Sequence, residues 1–283
     1  MVCALKNALT AKARNRLFSF STMSILQAII TNPTLTLRHR NIFLLSHMRA
    51  NTSLFGHLLG SHPQVEGYYE MHIGYYSWKS LWRQKLKHFA EHSPKKASRF
   101  MFDKVLHNGH YVATSLLSRN SSHSIFMLRA PEQSIKSLVV LYRLQAPNKP
   151  EATAEGAARY YIDRLRTLAD VAQQIGARYF YMDAECLITA TEPTLSALSE
   201  WLGLDGPIPS EYETFANTGK GKSGDPSNRL KSGKVSHVSN DYSDVLIPDS
   251  LMAEARDAYE LCRNALIAGC AKSVCLQPND QTV

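Results

Sequence analysis

Between the apolar run Ile42 to Leu45 and an amphipathic segment opening at Asn51–Thr52 lies Ser46-His47-Met48-Arg49-Ala50-Asn51-Thr52-Ser53. One guanidinium sits inside this polar stretch and two hydroxyls stand at its end. Leu54, Phe55, Leu58 and Leu59 recur at helical spacing until Gly60 and Pro63 stop the pattern. That pattern predicts a short buried strand, a tight turn and a helix. Such a unit aims backbone N–H groups and the positive end of the helix dipole at one spot, where an anion fits and a phosphate fits best. An ordinary capped strand-turn-helix suits the same residues equally well.

A second unit repeats the arrangement. Ser124 to Leu128 reads as a strand, Arg129-Ala130-Pro131 as a turn, and a helix opens near Glu132 with Ile135, Leu138, Val139 and Tyr142 on one face. The elements around these units fit one α/β domain. Tyr75 to His92 is an amphipathic helix rich in aromatics and bases, Phe100 to Phe102 a short strand, and His110 to Ser118 a helix. Residues 154–175 form a long helix stopped by Gly176, followed by a buried strand over Ala177 to Met182 and a short helix over Pro193 to Leu204. The last helix, Ser250 to Ala268, turns Leu251, Ala255, Tyr259 and Leu261 inward, and the tail after Lys272 reads as disordered. Strands alternating with helices imply a central parallel sheet flanked by helices, with ligands at the carboxyl ends of the strands, where the Arg49 and Arg129 turns both fall.

Composition sets the outer limits. The 283 residues are 44% hydrophobic and 20% charged, enough for a sizeable core and without the bias of a disordered chain. A formal charge of +8 favours a nucleotide, an anionic membrane surface or nucleic acid as partner, although many basic proteins have no acidic partner. Cys3, Cys186, Cys262, Cys270 and Cys275 show no CxxC spacing, which argues against a zinc or redox knuckle and for a reduced, cytoplasmic setting. Residues 1–40 stand apart as a basic extension, since no Asp or Glu precedes Glu66. Its readings are a targeting segment, a peripheral membrane contact, or a plain packed or frayed end.

Ala216 to Ser223, ANTGKGKS, nearly spells a Walker A loop. It follows YETF rather than a buried strand, and Gly224-Asp225-Pro226 breaks any helix after it. A phosphate loop needs the strand before and the helix after, so that its amides converge. The Arg49 turn has that context without the GK[ST] signature, and the architecture is P-loop-NTPase-like without being a Walker A enzyme.

Taken together, four segments resemble the sulfotransferases that use 3′-phosphoadenosine 5′-phosphosulfate (PAPS). The Arg49 turn is similar to that family's 5′-phosphosulfate turn, with Ala50 and Asn51 where Ser-Gly is usual, followed by LLGSHPQV. Asn tolerates the unusual backbone angle that the missing Gly would supply. MLRAPEQSIKSL supplies Arg129 and Ser137 at the family's spacing for a 3′-phosphate. YFYMDAECL resembles the segment that sets Tyr181 near the adenine, and GKGKSGDPS, with Lys220, Gly221 and Lys222, the late Gly-rich loop that closes on the 3′-phosphate.

The resemblance implies a three-layer P-loop-like fold over residues 41–272, a tail at 273–283, and PAPS as donor with 3′,5′-adenosine bisphosphate as product and no metal. It implies that Arg49, Ala50, Asn51, Thr52 and Ser53 cradle the phosphosulfate and that Arg49 offsets charge on the leaving phosphate. It also implies a base for the acceptor hydroxyl. Glu70 in GYYEMH is the first candidate, His107 the second and His72 the third, with Lys104 near the bridging oxygen. A lone Glu or His is more often solvated, capping or packed. The acceptor expected is a sugar, glycolipid or small metabolite, and no nucleic acid partner is expected. The competing readings are a P-loop-fold kinase, which lacks its Walker A Lys and an evident Walker B Asp, and a non-catalytic basic module binding membrane or nucleic acid through Tyr75 to His88.

Overall fold

The computed structural model describes residue 30 and residues 33–215, 218, 228–236 and 241–276. Its frame is a six-stranded sheet: β1 (Arg40–Ser46), β2 (Val65–Glu66), β3 (Phe100–Val105), β4 (Ser122–Leu128), β5 (Tyr179–Asp183) and β6 (Lys272–Val274). The order is β2-β3-β1-β4-β5-β6, and every neighbouring pair is parallel. Helices cover both faces, which is why the four long strands read as nearly unbroken apolar runs.

The helices are α1 (Thr52–Ser61), α2 (Trp78–Phe89), α3 (Thr114–Leu117), α4 (Pro131–Gln145), α5 (Ala154–Ile175), α6 (Cys186–Thr189), α7 (Thr191–Leu202) and α8 (Asp249–Gly269). On one face Phe43, Leu45, Phe126, Leu128, Tyr179 and Tyr181 pack against α4, α5 and α8. On the other, Ile42, Leu44, Phe102, Ile125, Met127 and Phe180 pack against α1 and α7. The period of two along each strand thus splits into two separate cores. The layered α/β architecture expected from the sequence is the one observed.

Several local expectations are corrected. The helix expected over His110 to Ser118 begins only at Thr114, because Tyr75 donates N–H to Tyr111 and accepts from Ala113, holding Tyr111–Val112 extended. On α8, Leu261 is 74% exposed, and the inward positions are Cys262 and Leu266. Residues 272–274, read as entering a disordered tail, form the edge strand β6, its pairing with β5 outweighing a polar composition. Of the proposed 1–40 extension, Pro33–Thr36 is a short 3-10 turn whose Leu35 is buried with Phe89 and Met101, and Arg40 belongs to β1; most of the remainder lies outside the described residues. No helix among the described residues is long and apolar enough to cross a membrane.

One glycine shapes the site's approach. Gly67 has φ 89°, and a Cβ there would lie 2.5 Å from the Phe102 carbonyl oxygen. Only glycine lets the chain leave β2 against β3 and run on to Glu70.

Candidate active site

At the carboxyl end of β1 the chain turns through two left-handed residues that are not glycine, Arg49 (φ 66°) and Asn51 (φ 54°). Each such residue costs on the order of 1 kcal/mol and persists only where its surroundings hold it. Here the supports come from far along the chain. Arg164 Nε donates to the Ser46 carbonyl at 2.8 Å, Met48 N–H to the Tyr160 hydroxyl at 2.9 Å, and Asn51 Nδ2 to the Ala184 carbonyl at 3.3 Å. Asn51 makes no capping bond, and the first-turn amides of α1 have no intrahelical acceptor by helix geometry. Ala50 is buried in the core beneath the turn.

The Arg129 turn is braced against the first. Arg129 Nη1 donates to the Arg49 carbonyl at 3.0 Å, and Arg49 Nε donates to Ser137 Oγ at 2.8 Å. Ser137 Oγ also accepts from the Tyr242 hydroxyl at 2.9 Å. His47 completes the brace: its Nε2 accepts from Arg129 N–H at 3.1 Å while its Nδ1 donates to the Met48 carbonyl at 2.9 Å. Burial pushes its pKa down to about 4, so it serves as a neutral spacer. The Arg129 Nε is buried and has no hydrogen-bond partner, an orphan that an anion's oxygen would satisfy. Lys104, buried in β3, donates from Nζ to Ser53 Oγ at 3.1 Å, so a third cation flanks the turn.

The second cluster surrounds Glu70, whose side chain is 9% exposed. Its Oε1 lies 3.5 Å from His72 Nδ1, 3.8 Å from His110 Nδ1 and 3.9 Å from His107 Nε2. Burial pushes the carboxyl up, but His110, Lys104, His107 and His72 outweigh it and hold the group below the usual carboxylate range. Burial lowers His107 in turn, against the pull of Glu70. Near neutral pH the cluster therefore holds an ionised Glu70 beside a neutral His107. Asp103 fixes the segment that carries Glu70: its Oδ1 accepts from Met71 N–H at 3.0 Å, and its Oδ2 accepts from the Tyr75 hydroxyl at 2.5 Å. The Lys87 ammonium donates to the Met71 carbonyl. Asp103 is fully buried, and burial pushes its pKa up to about 7.

No protein-family model and no curated protein matches the chain. Solved structures do. The sulfotransferase domain from the curacin biosynthetic pathway superposes with a TM-score of 0.53 at 16% identity, covering 80% of this chain and 97% of that one. The sulfotransferase domain from the Synechococcus PCC 7002 olefin synthase gives 0.54 at 18% identity, covering 79% and 94%. The chain has the sulfotransferase-domain fold.

Within this sulfotransferase fold the structure brings Arg49, Asn51, Thr52, Ser53, Arg129, Ser137 and Lys104 to one end of the sheet, and Glu70, His72 and His107 into a second group linked to the first through Lys104. Tyr181 belongs to neither. It is 0% exposed in the core, and its hydroxyl donates to Asp183 Oδ1 at 2.5 Å, so no face remains for an adenine ring. The strand's alternation turns Tyr181 inward with Tyr179. Lys220, Gly221 and Lys222 lie outside the described residues.

Residues absent from the sequence reading are also structural parts of the site: His47, Tyr160, Arg164, Tyr242, His110, Asp103 and Glu185. Glu185 Oε1 accepts from Ala130 N–H at 3.1 Å and steadies the second turn. Tyr160 and Arg164 left one signal, a polar pair four apart on the buried side of α5. Asp103 left another, one of two adjacent charges, with Lys104, inside an otherwise apolar strand.

Proposed function

We propose that this protein is a PAPS-dependent sulfotransferase that transfers the sulfuryl group to a hydroxyl. The observation that carries the reading is the brace of Arg49, Arg129 and Ser137, which joins two strand-turn-helix units at the carboxyl end of the parallel sheet and leaves the buried Arg129 Nε without a partner. Two turns with helix N-termini and two guanidinium groups suit a ligand carrying phosphate at two positions. The sulfotransferase domains of similar fold support the same reading.

PAPS, when bound, supplies a sulfuryl group on a phosphate leaving group, a chemistry in which positioning and charge neutralisation do most of the catalysis. The turn amides, Arg49 and Lys104 would hold and neutralise the phosphosulfate end. Arg129 and Ser137 would hold the 3′-phosphate. Glu70, ionised near neutral pH, would take the acceptor proton at Oε1, with His107 beside it as the alternative. The acceptor proposed is a sugar, glycolipid or other small hydroxyl compound, supported by the exposed Tyr76 and Tyr111. Their rings stack with centroids 6.0 Å apart, and Tyr111 follows directly on His110. Stacked aromatics suit a sugar face or an apolar chain.

Calorimetric titration with 3′,5′-adenosine bisphosphate tests the reading, with adenosine 5′-phosphate, ATP–Mg and a short DNA duplex as controls. Micromolar binding that requires the 3′-phosphate is expected. Preference for ATP–Mg or for DNA would refute it.

A further inference from the structure

The Glu70 cluster has the composition and spacing of a metal site as well as of a base. One ligand atom from each of Glu70, His72 and His110 lies within 4.8 Å of the other two. A tetrahedral zinc ion with ligands at 2.0–2.1 Å needs them about 3.4 Å apart. The two separations from Glu70, 3.5 and 3.8 Å, are within a small side-chain adjustment of that value.

A second observation points the same way. Glu70 Oε1 and His110 Nδ1 are both buried and both lack a hydrogen-bond partner. Buried polar atoms in a folded chain are nearly always satisfied, so two orphans facing each other mark a place where something is held. The third donor is held under strain. His72 has φ 53°, unusual for a residue that is not glycine, on the segment fixed by Asp103. His110 closes a turn in which its N–H donates to the His107 carbonyl at 3.0 Å. Ligands thus come from two segments that are each fixed independently.

We propose that Glu70, His72 and His110 bind a divalent transition-metal ion of the zinc class, with the fourth position left open and His107 at its edge. One carboxylate and two imidazoles are the donor set that such ions prefer over magnesium or calcium. Lys104, close enough to act on the Glu70 carboxylate, weakens the site by repulsion. Binding is therefore weaker than at a closed structural site. The functional consequence rests on the reading of Glu70 as the base. The oxygen that would take the acceptor proton is the oxygen that ligates the ion, so the ion inhibits turnover and a chelator restores it.

The test uses full-length protein stripped with EDTA. Zinc chloride is titrated by calorimetry and cobalt(II) chloride by visible absorption, each repeated on His72→Ala, His110→Ala and Glu70→Gln. Binding of 3′,5′-adenosine bisphosphate by each variant serves as the check on folding. One ion per chain is expected, with a cobalt spectrum free of thiolate charge-transfer bands and affinity reduced at least tenfold in each variant. Absence of binding, affinity unchanged in the variants, or a thiolate band from the cysteines would overturn the site while leaving the bisphosphate result standing. Stoichiometric zinc binding with undiminished turnover would instead overturn Glu70 as the base and the inhibition with it.

Discussion

Asp103→Asn is expected to make the protein's stability less dependent on pH, in a direction and by an amount set by the burial of this one carboxyl. In the folded chain its pKa is pushed up to about 7, against 3.8 for the free side chain. Between those values the unfolded chain has released the proton and the folded chain has kept it. Raising the pH therefore favours unfolding, by up to about 1.4 kcal/mol per pH unit. From pH 5 to pH 7 the penalty grows by roughly 2 kcal/mol, and above pH 7 it levels off. Asn cannot ionise. It keeps an oxygen for Met71 N–H and Lys104 N–H, and its amide can donate to the Tyr75 hydroxyl in place of accepting from it. Urea unfolding followed by tryptophan fluorescence, in EDTA-containing buffers from pH 5 to 8.5, measures both proteins side by side. An advantage for the variant that is already present at pH 5 and grows by roughly 2 kcal/mol up to pH 7 is expected. Parallel curves would show that Asp103 is already ionised in the fold, with Lys104 as its counter-ion, and would refute the argument from burial.

Three other outcomes follow from the same geometry. Ser137→Ala is expected to weaken 3′,5′-adenosine bisphosphate by about 10- to 100-fold, the range for a lost charge-assisted hydrogen bond, while adenosine 5′-phosphate changes little; equal losses in calorimetry would mean that Ser137 acts only by placing Arg49. Asn51→Val forces a β-branched residue to a positive φ and is expected to cost about 1–2 kcal/mol in thermal unfolding, with Asn51→Gly close to wild type; indistinguishable melting curves would contradict the left-handed turn. Glu70→Gln is expected to leave bisphosphate affinity unchanged and to lower turnover at least about 100-fold in an assay of acceptor-dependent 3′,5′-adenosine bisphosphate formation, and normal turnover would pass the role of base to His107.

The layered fold was legible in the sequence, and so was the placement of several residues of the candidate site. Asn51 was legible because only a few side chains tolerate the backbone angle needed where Ser-Gly is absent, and its φ of 54° agrees. Arg129 and Ser137 were legible by spacing, but not that Arg49 would be the partner of both, since that contact depends on which strands lie side by side. The strand order places β1 between β3 and β4, a rearrangement that periodicity does not encode. Tyr181 was misplaced for a related reason: one residue of strand alternation decides between core and cleft. His110 was obscured by a helix pattern that backbone pairing with Tyr75 overrides. The strand β6 was hidden by a short, polar stretch whose conformation is fixed by the neighbour it pairs with.

The long reach of the contacts around the Arg49 turn bears on how the protein comes into being. Arg40 pairs with Phe100 and Asn41 with Ser122, so the central strand acquires its neighbours only after a large part of the chain has been made. The turn itself leans on Arg129, Ser137, Tyr160, Arg164 and Ala184, all far from it in sequence. Contacts this distant form slowly and together, because the entropy of closing each loop is lost before any of them contributes. A fragment ending before Ala184 would contain Arg49 and its helix yet lack the contacts that hold the turn in place. Were the proposed donor to bind here, its capture would report that nearly all of the chain has folded.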